Sequence, residues 1–300
     1  MVSVTESRFT QSTRLAAWLP LMVLPVAVVQ FASEWQSWVL MWTFAFSIYV
    51  GLKWLSFADG FAMSESTVGR SLGYLLFWPG MDAKSFSSSL RQVERPRLHE
   101  WLLAVTKVAL GVALVVIAVP LVGLHPMMAG WIGMAGIVFT LHFGLFHLLS
   151  VIWREAGVDA PPIMDSPMMS SSLSEFWGKR WNLAFRDLAH TFVFRPCAGK
   201  LGITGATMAV FLVSGLVHDA VISIPARGGL GLPTLYFFIQ GVGVLFERSR
   251  LGKRISTRRG VIGWLFCAIV TLGPVCLLFH RPFVERVVVP MLTAIGSLWS

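Results

Sequence analysis

Long hydrophobic stretches alternate with short polar connections along most of this 300-residue chain. A helix needs about 20 apolar residues to cross the hydrocarbon core of a bilayer. Eight stretches reach or approach that length: residues 15–33, 35–57, 102–124, 126–153, 205–224, 231–247, 261–280 and 284–299. The pattern predicts an all-α fold, a polytopic transmembrane helical bundle of about eight spans. The apolar run at residues 72–78 is too brief to cross and predicts a re-entrant or interfacial piece.

One further stretch, residues 172–193, has helical periodicity without being a span. At 100° per residue its apolar side chains fall on one arc and its polar side chains on the opposite arc. The apolar arc holds Leu173, Trp177, Trp181, Ala184, Leu188 and Phe192, and the polar arc holds Glu175, Lys179, Asn182 and Arg186. An S-x-x-E pair, Ser172 with Glu175, predicts a capping box at its start. We therefore expect an amphipathic helix at the membrane interface. If that helix is only an anchor, Asn182 is an ordinary solvated residue.

The composition supports a membrane protein. Hydrophobic residues make up 55% of the chain and charged residues 13%, about half the charged share of a typical soluble domain. The three cysteines, Cys197, Cys267 and Cys276, show no C-x-x-C spacing and predict neither a disulfide framework nor a zinc site. We expect one integral-membrane domain over residues 1–300, with no metal and no organic cofactor.

The distribution of charge predicts the orientation. The net charge is +9, and six basic residues lie within residues 248–259. Loops rich in Lys and Arg face the cytoplasm, and eight spans with both termini inside place this cluster and residues 154–204 there. The basic balance therefore reflects topology, and nucleic acid is not an expected partner.

Ionisable residues occur inside the predicted span at residues 205–224, in the sequence SGLVHD at residues 214–219. Ionisable groups in spans are costly and indicate a functional site facing the bundle or a water-filled cavity. Ser214, Gly215 and His218 share a helix face by their i, i+3, i+4 spacing, whereas Asp219 is expected nearer the outer interface. A packed, hydrogen-bonded histidine without function remains the alternative.

Other chemical motifs are weaker. His142 and His147 are five residues apart, so they do not share a face of an α-helix and predict no metal pair. The chain has no HExxH, GxSxG or P-loop motif. Nucleophilic serine chemistry therefore has no support in the sequence.

A family resemblance connects the two polar segments. The sequence PPIMDSPMMSSSLSEFWGKRWNLAFRDL, followed by FVFRP and then by FLVSGLVHD, resembles the wax synthase branch of the membrane-bound O-acyltransferases. LFWPGMD at residues 76–82 also resembles an early segment of these proteins. The match is strongest over about residues 160–250. One departure is Asp219, where relatives often carry Glu, which keeps the charge.

The resemblance implies a function and a site. Family members transfer an acyl group from a thioester, usually acyl-CoA, to a hydroxyl. The resemblance implies that His218 is catalytic and that Asn182 is the second active-site residue. We expect substrate contacts from Trp177, Arg180 and Trp181 beside Asn182, and from Ser214 and Gly215 beside His218.

The residues suit this chemistry independently. Acyl transfer to an alcohol needs a base for the hydroxyl proton, which His supplies, and a hydrogen-bond donor for the developing oxyanion, which an Asn amide supplies. The basic face of residues 179–186 and the cluster at 248–259 could attract the phosphates of CoA. The expected partners are acyl-CoA, a lipophilic alcohol and the lipid bilayer.

Two alternatives stay open at this stage. The acceptor could instead be a sterol, a diacylglycerol, a polyketide or a polysaccharide hydroxyl, because the features above do not separate these classes. A transporter could use a lone intramembrane histidine as a proton or substrate site. Transporters often show inverted repeats and paired broken helices, which this sequence does not display.

Overall fold

A helical bundle forms the structure, a computed structural model that describes residues 15–32, 34–61, 67–88, 93–255 and 257–298. None of these residues lies in a β-strand. The helices are α1 (Leu19–Phe31), α2 (Ser37–Phe61), α3 (Val68–Phe77), α4 (Ala83–Ser87), α5 (Leu98–Leu121), α6 (Pro126–Glu155), α7 (residues 173–180), α8 (Leu183–Ala226), α9 (Leu232–Arg248), α10 (Arg250–Arg254), α11 (Gly260–Leu278) and α12 (residues 281–296). The predicted all-α class is confirmed.

Five helices within the described ranges are long and apolar enough to cross a membrane: α2, α5, α6, α8 and α11. They support an integral membrane protein. The count of eight spans is not confirmed, because the other predicted spans form shorter helices: α1 has 13 residues and α9 has 17. At 1.5 Å per residue, 17 residues extend about 26 Å, slightly less than the roughly 30 Å hydrocarbon core.

Glycines allow α5 and α6 to pack at very short range. A Cβ atom added to Gly111 would lie 2.7 Å from the carbonyl oxygen of Gly136, so the side chain of any other residue would push the helices apart. Small residues at such contacts are typical of helix packing in membranes. This contact fixes the position of α6, which carries His142.

Three apolar cores hold the bundle together. One surrounds Tyr74 and Phe86, a second surrounds Leu173 and Phe237, and a third surrounds Val284 in α12. Other apolar side chains are exposed, and we assign them to contact with lipid; they include Leu102, Val112, Val116, Leu265 and Ile269.

Helices α6, α7, α8 and α12 contain π-helical turns. These turns are Phe139–Leu145 in α6, Phe176–Arg180 in α7, His190–Phe194 and Asp219–Ser223 in α8, and Val284–Val288 in α12. Gly202 also interrupts α8, with φ +67° and ψ 178°, a conformation that favours glycine. π-helical turns are frequent at functional sites, and four of these five contain or adjoin residues that border one cavity.

Candidate active site

A cavity of about 770 Å³ opens between α2, α6, α7, α8 and α9. Most of its wall is apolar, with Leu52, Phe146, Phe185, Val210 and Phe211 among the lining residues. Five of the residues predicted for the site also border it: Trp177, Trp181, Asn182, Ser214 and His218. Asn182 and His218 are 36 positions apart in the chain and face the same space.

The hydrogen bond made by His218 fixes its tautomer. Its Nδ1 atom lies 2.7 Å from the carbonyl oxygen of Ser214, one turn earlier in α8. A carbonyl oxygen can only accept, so Nδ1 carries the proton and donates it to this bond. The neutral ring therefore has its lone pair on Nε2. Nε2 is the atom that a base would use.

The ring of His218 is held from a second side by α9. Its centroid lies 4.4 Å from that of the Phe237 ring. Gly215, one turn behind, lets α9 approach: a Cβ there would lie 2.7 Å from the Cα atom of Thr234. Gly215 thus serves helix packing and does not border the cavity, so the structure does not give it the substrate contact expected from the sequence.

Asp219 ties α8 to the start of α9. The residue is only 7% exposed, and it accepts hydrogen bonds from the backbone N–H groups of Gly231 at 2.9 Å and Thr234 at 3.0 Å and from the hydroxyls of Ser223 and Thr234. The sequence pattern predicts Asp219 nearer the outer interface and does not predict that it caps α9. Its carboxylate neutralises the N-terminal end of α9 and holds the turn that follows His218.

The expected continuous amphipathic helix at residues 172–193 is wrong. The chain leaves the helix at Trp181, with φ −102° and ψ 125°, and Asn182 is left-handed, with φ 42° and ψ 62°. Long-range backbone bonds stabilise the break: Leu183 donates to Ile163 at 3.0 Å, and Asp165 donates to Arg180 at 2.8 Å. The apolar and polar arcs predicted for a single helix are therefore not continuous, because the helix is broken at residues 181–182.

This break determines what Asn182 can do. Its Oδ1 atom accepts from the backbone N–H of Phe185 at 3.3 Å and caps the N-terminus of α8. Asn is among the residues that best tolerate the left-handed conformation and that best cap helices. With Oδ1 used as an acceptor, the amide NH₂ group is the part of Asn182 that remains to donate a hydrogen bond into the cavity.

Aromatic contacts hold the two tryptophans beside the break. The Trp181 ring stacks on Phe176, with centroids 5.4 Å apart and planes at 13°. The Trp177 indole N–H donates to Gln240 Oε1 at 3.3 Å, and its ring packs edge-on against Phe211 at 5.7 Å. Both indoles thus form fixed walls of the cavity.

The start of α7 is held by a buried acid. Glu247 is fully buried and accepts from the backbone N–H of Leu173 at 2.6 Å. Arg258 lies 3.5 Å from its other oxygen and offsets the charge. The predicted capping box is half present, because the Ser172 hydroxyl accepts from Glu175 N at 3.0 Å, whereas the Glu175 carboxylate bonds to Ser171.

Arg180 does not reach the cavity, although substrate contact was expected from it. Its guanidinium pairs with Glu175 at 2.7 Å. The backbone N–H of Ser171, together with Arg180, holds the pKa of the Glu175 carboxyl below its ordinary value. The bonds of Glu175 to Ser171 and to Arg180 therefore hold the two ends of α7 in place, next to the break.

The cavity is also bordered by the charged residues Arg186, Asp187 and Arg248 and by His190, and we call this group its charged edge. Arg186 pairs with Asp187 and donates to the carbonyl oxygen of Gly178 at 3.0 Å. Of the six basic residues within residues 248–259, Arg248 is the one that borders the cavity. Among the residues that the structure describes, its Nε and Nη1 atoms make long contacts, each 3.4 Å, to Ser174 and Thr207.

His142 also borders the cavity, and sequence reasoning missed it. The i, i+5 spacing shows that His142 and His147 do not share an α-helical face, but it says nothing about a cavity that several helices form together. His147 instead pairs with Lys107, 3.2 Å from its Nδ1 atom. An ionisable residue within a predicted span was the signal that could have identified His142.

Comparison with known proteins agrees with this geometry. A sequence model of the membrane bound O-acyl transferase family matches residues 160–240, an interval that contains both Asn182 and His218. The predicted family resemblance is confirmed. This chain is similar to acyltransferases over the segment that forms the break and all of α8.

The matched relatives include plant acyltransferases. The chain is 29% identical over 159 residues to a probable long-chain-alcohol O-fatty-acyltransferase 2 of Arabidopsis thaliana, covering 48% of this chain and 46% of the relative. It is 29% identical over 126 residues to a long-chain-alcohol O-fatty-acyltransferase of Simmondsia chinensis, covering 38% and 36%. An acyl-CoA–sterol O-acyltransferase 1 of Arabidopsis thaliana is 24% identical over 110 residues, covering 34% and 32%. Each match spans about half or less of the relative.

Proposed function

We propose that this chain is an acyl-CoA-dependent O-acyltransferase that moves a fatty acyl group to the hydroxyl of a lipophilic alcohol and forms an ester. The observation that carries the proposal is the pairing of two groups at one apolar cavity. His218 offers a lone pair on Nε2, and Asn182 offers an amide N–H. Acyl transfer needs a base and an oxyanion donor of these kinds.

The proposed reaction uses these atoms directly. His218 Nε2 takes the proton of the alcohol as the alcohol oxygen attacks the thioester carbon. The negative charge that develops on the former carbonyl oxygen is stabilised by the Asn182 amide. The carbon–sulfur bond then breaks, and the proton held by His218 passes to the thiolate of CoA. The ester and free CoA leave. The thioester is already activated, so the proposal requires no covalent enzyme intermediate, metal or organic cofactor.

We propose that the two substrates reach the cavity from different sides. CoA carries several phosphates, and Arg248 and Arg186 stand at the charged edge of the cavity. The apolar wall suits the acyl chain and a long alcohol, which partition into lipid. We propose that the charged edge faces the cytoplasm, that both termini lie there, and that residues 1–300 form one catalytic domain with its core at about residues 160–250.

The identity of the acceptor alcohol is proposed from the names of the relatives. Relatives named for long-chain alcohols and one named for sterols match this chain, and the higher identities belong to the former. We therefore place long-chain alcohols first. The test is to incubate membranes containing the protein with labelled acyl-CoA and a panel of long-chain alcohols, a sterol and a diacylglycerol, then identify the labelled ester. Membranes containing His218→Gln serve as the control.

A further inference from the structure

His142 is an unexplained buried polar side chain at the proposed site. It lies in the π-helical turn Phe139–Leu145 of α6 and borders the same cavity as His218 and Asn182. Its Nδ1 atom is buried and has no hydrogen-bond partner in the part of the chain that the structure describes. Buried polar atoms are nearly always paired, so an unpaired one at a cavity needs an explanation.

The tautomer of His142 follows from its surroundings. A neutral imidazole carries one proton, on either Nδ1 or Nε2. On Nδ1 the proton would face a buried position without an acceptor, and an unpaired buried N–H group is rare. Nε2 is not among the buried unpaired atoms. A proton on Nε2 can therefore be donated to a molecule in the cavity. His142 therefore presents an N–H donor, the opposite of the lone pair presented by His218.

The position of His142 relates it to the reacting centre. The ring of its neighbour Phe143 packs edge-on against Trp181, with centroids 6.0 Å apart, and Trp181 directly precedes Asn182. The turn that carries His142 thus packs against the break that carries Asn182. His142 and Asn182 border one cavity, and each has an N–H group available to donate.

We infer that His142 donates a hydrogen bond from Nε2–H to the acyl carbonyl oxygen, as a second oxyanion donor beside Asn182. The inference rests on the proposed function. A donor at the alcohol oxygen would withdraw electron density from the attacking atom, whereas a donor at the carbonyl oxygen stabilises the charge that forms there. The proton of His142 stays on its nitrogen throughout, and the base remains His218.

Three variants separate this role from packing. His142→Gln places an amide donor about as far out as Nε2, whereas His142→Asn reaches only about as far as Nδ1. His142→Phe keeps a ring but has no donor. We expect ester formation to fall about 10²- to 10³-fold in His142→Phe and His142→Asn, mainly through kcat, and to be partly restored in His142→Gln. The matched control is His147→Asn, which keeps an acceptor for Lys107 and should retain wild-type kcat.

A binding measurement gives a readout that does not need turnover. The probes are two CoA analogues of equal chain length, one with a ketone in place of the thioester and one S-alkyl thioether without a carbonyl. Wild-type protein should bind the ketone more tightly, and His142→Phe should reduce that preference about three- to tenfold, as expected for one hydrogen bond. His147→Asn should leave it unchanged.

The outcomes distinguish the two proposals. If wild-type protein makes no ester but His142→Phe loses the preference for the ketone, the proposed function fails and the carbonyl contact stands. The role of His142 is overturned if His142→Phe turns over at the wild-type rate. It is also overturned if wild-type protein does not prefer the ketone, or if His142→Phe keeps the preference.

Discussion

The imidazole of His218 donates its Nδ1 proton to the carbonyl oxygen of Ser214, four residues earlier in the same helix, at 2.7 Å. Because Nδ1 carries the proton, Nε2 has the lone pair and is the basic atom of the ring. It uses only the backbone of Ser214, so the orientation of the base depends on helix geometry and not on a carboxylate partner. The neighbouring Asp219 contributes by anchoring the next helix.

Replacement of Asn182 separates its conformational role from its chemical role. Asn182→Gly accepts the left-handed conformation but loses the amide donor and the cap on the Phe185 N–H. A glycine at an N-cap costs only about a few tenths of a kcal/mol, so we expect near-normal stability with turnover about 10²- to 10³-fold lower. Asn182→Ala also strains the backbone, by roughly 1–2 kcal/mol. Thermal unfolding in detergent and ester formation should be measured on both variants. Wild-type turnover in Asn182→Gly would exclude the amide from the reaction.

Arg248 tests whether the charged edge of the cavity receives CoA. Arg248 borders the cavity, whereas Arg250 belongs to the same basic cluster without bordering it. We expect Arg248→Gln to raise the KM for acyl-CoA with little change in kcat, because a phosphate contact forms equally in the ground state and the transition state. Arg250→Gln is the matched control and should keep the wild-type KM. Equal effects in both variants would point to general attraction by the cluster.

Glu247 tests how the site segment is held. In Glu247→Leu, the backbone N–H of Leu173 loses its buried acceptor, which costs about 1–3 kcal/mol. Glu247→Gln keeps an acceptor oxygen and should lose less. The control is Glu285→Leu, which removes an exposed ion pair with Arg281 worth at most about 1 kcal/mol. The melting temperatures of the detergent-solubilised variants should follow this order, and equal melting temperatures for Glu247→Leu and Glu285→Leu would contradict it.

Orientation can be tested with single cysteines. Leu230 and Arg254 are both exposed, in connections predicted to face opposite sides. In a chain with Cys197, Cys267 and Cys276 replaced, Arg254→Cys should be labelled from the cytoplasm and Leu230→Cys from the other side. A membrane-impermeant thiol reagent applied to sealed vesicles provides the measurement. Labelling of both positions from one side would exclude the proposed orientation.

Sequence patterns identified the helical class because transmembrane hydrophobicity is a local signal. They also selected His218, since an ionisable residue in an apolar run is conspicuous without knowledge of the fold. The count of eight spans is not confirmed, because residues 231–247 form a helix of 17 residues, at the lower limit of the length that crosses a bilayer.

The break at Asn182 could not be predicted from local sequence. Residues 172–193 have helical periodicity on both sides of Asn182, so periodicity alone predicts one helix. The break is stabilised by the bond from Leu183 to Ile163, a partner 20 positions away. His142 was missed for the same reason, because its significance arises from a cavity that distant helices form together.

The most direct test of the central claim is ester formation by wild-type protein and by His218→Gln, each reconstituted with labelled acyl-CoA and a long-chain alcohol. Gln fills similar space and can still hydrogen bond, but it cannot take a proton. We expect ester from wild-type protein and a loss of about 10²- to 10⁴-fold in the variant, with unchanged folding and membrane insertion. Ester formation by correctly inserted His218→Gln at the wild-type rate would contradict it.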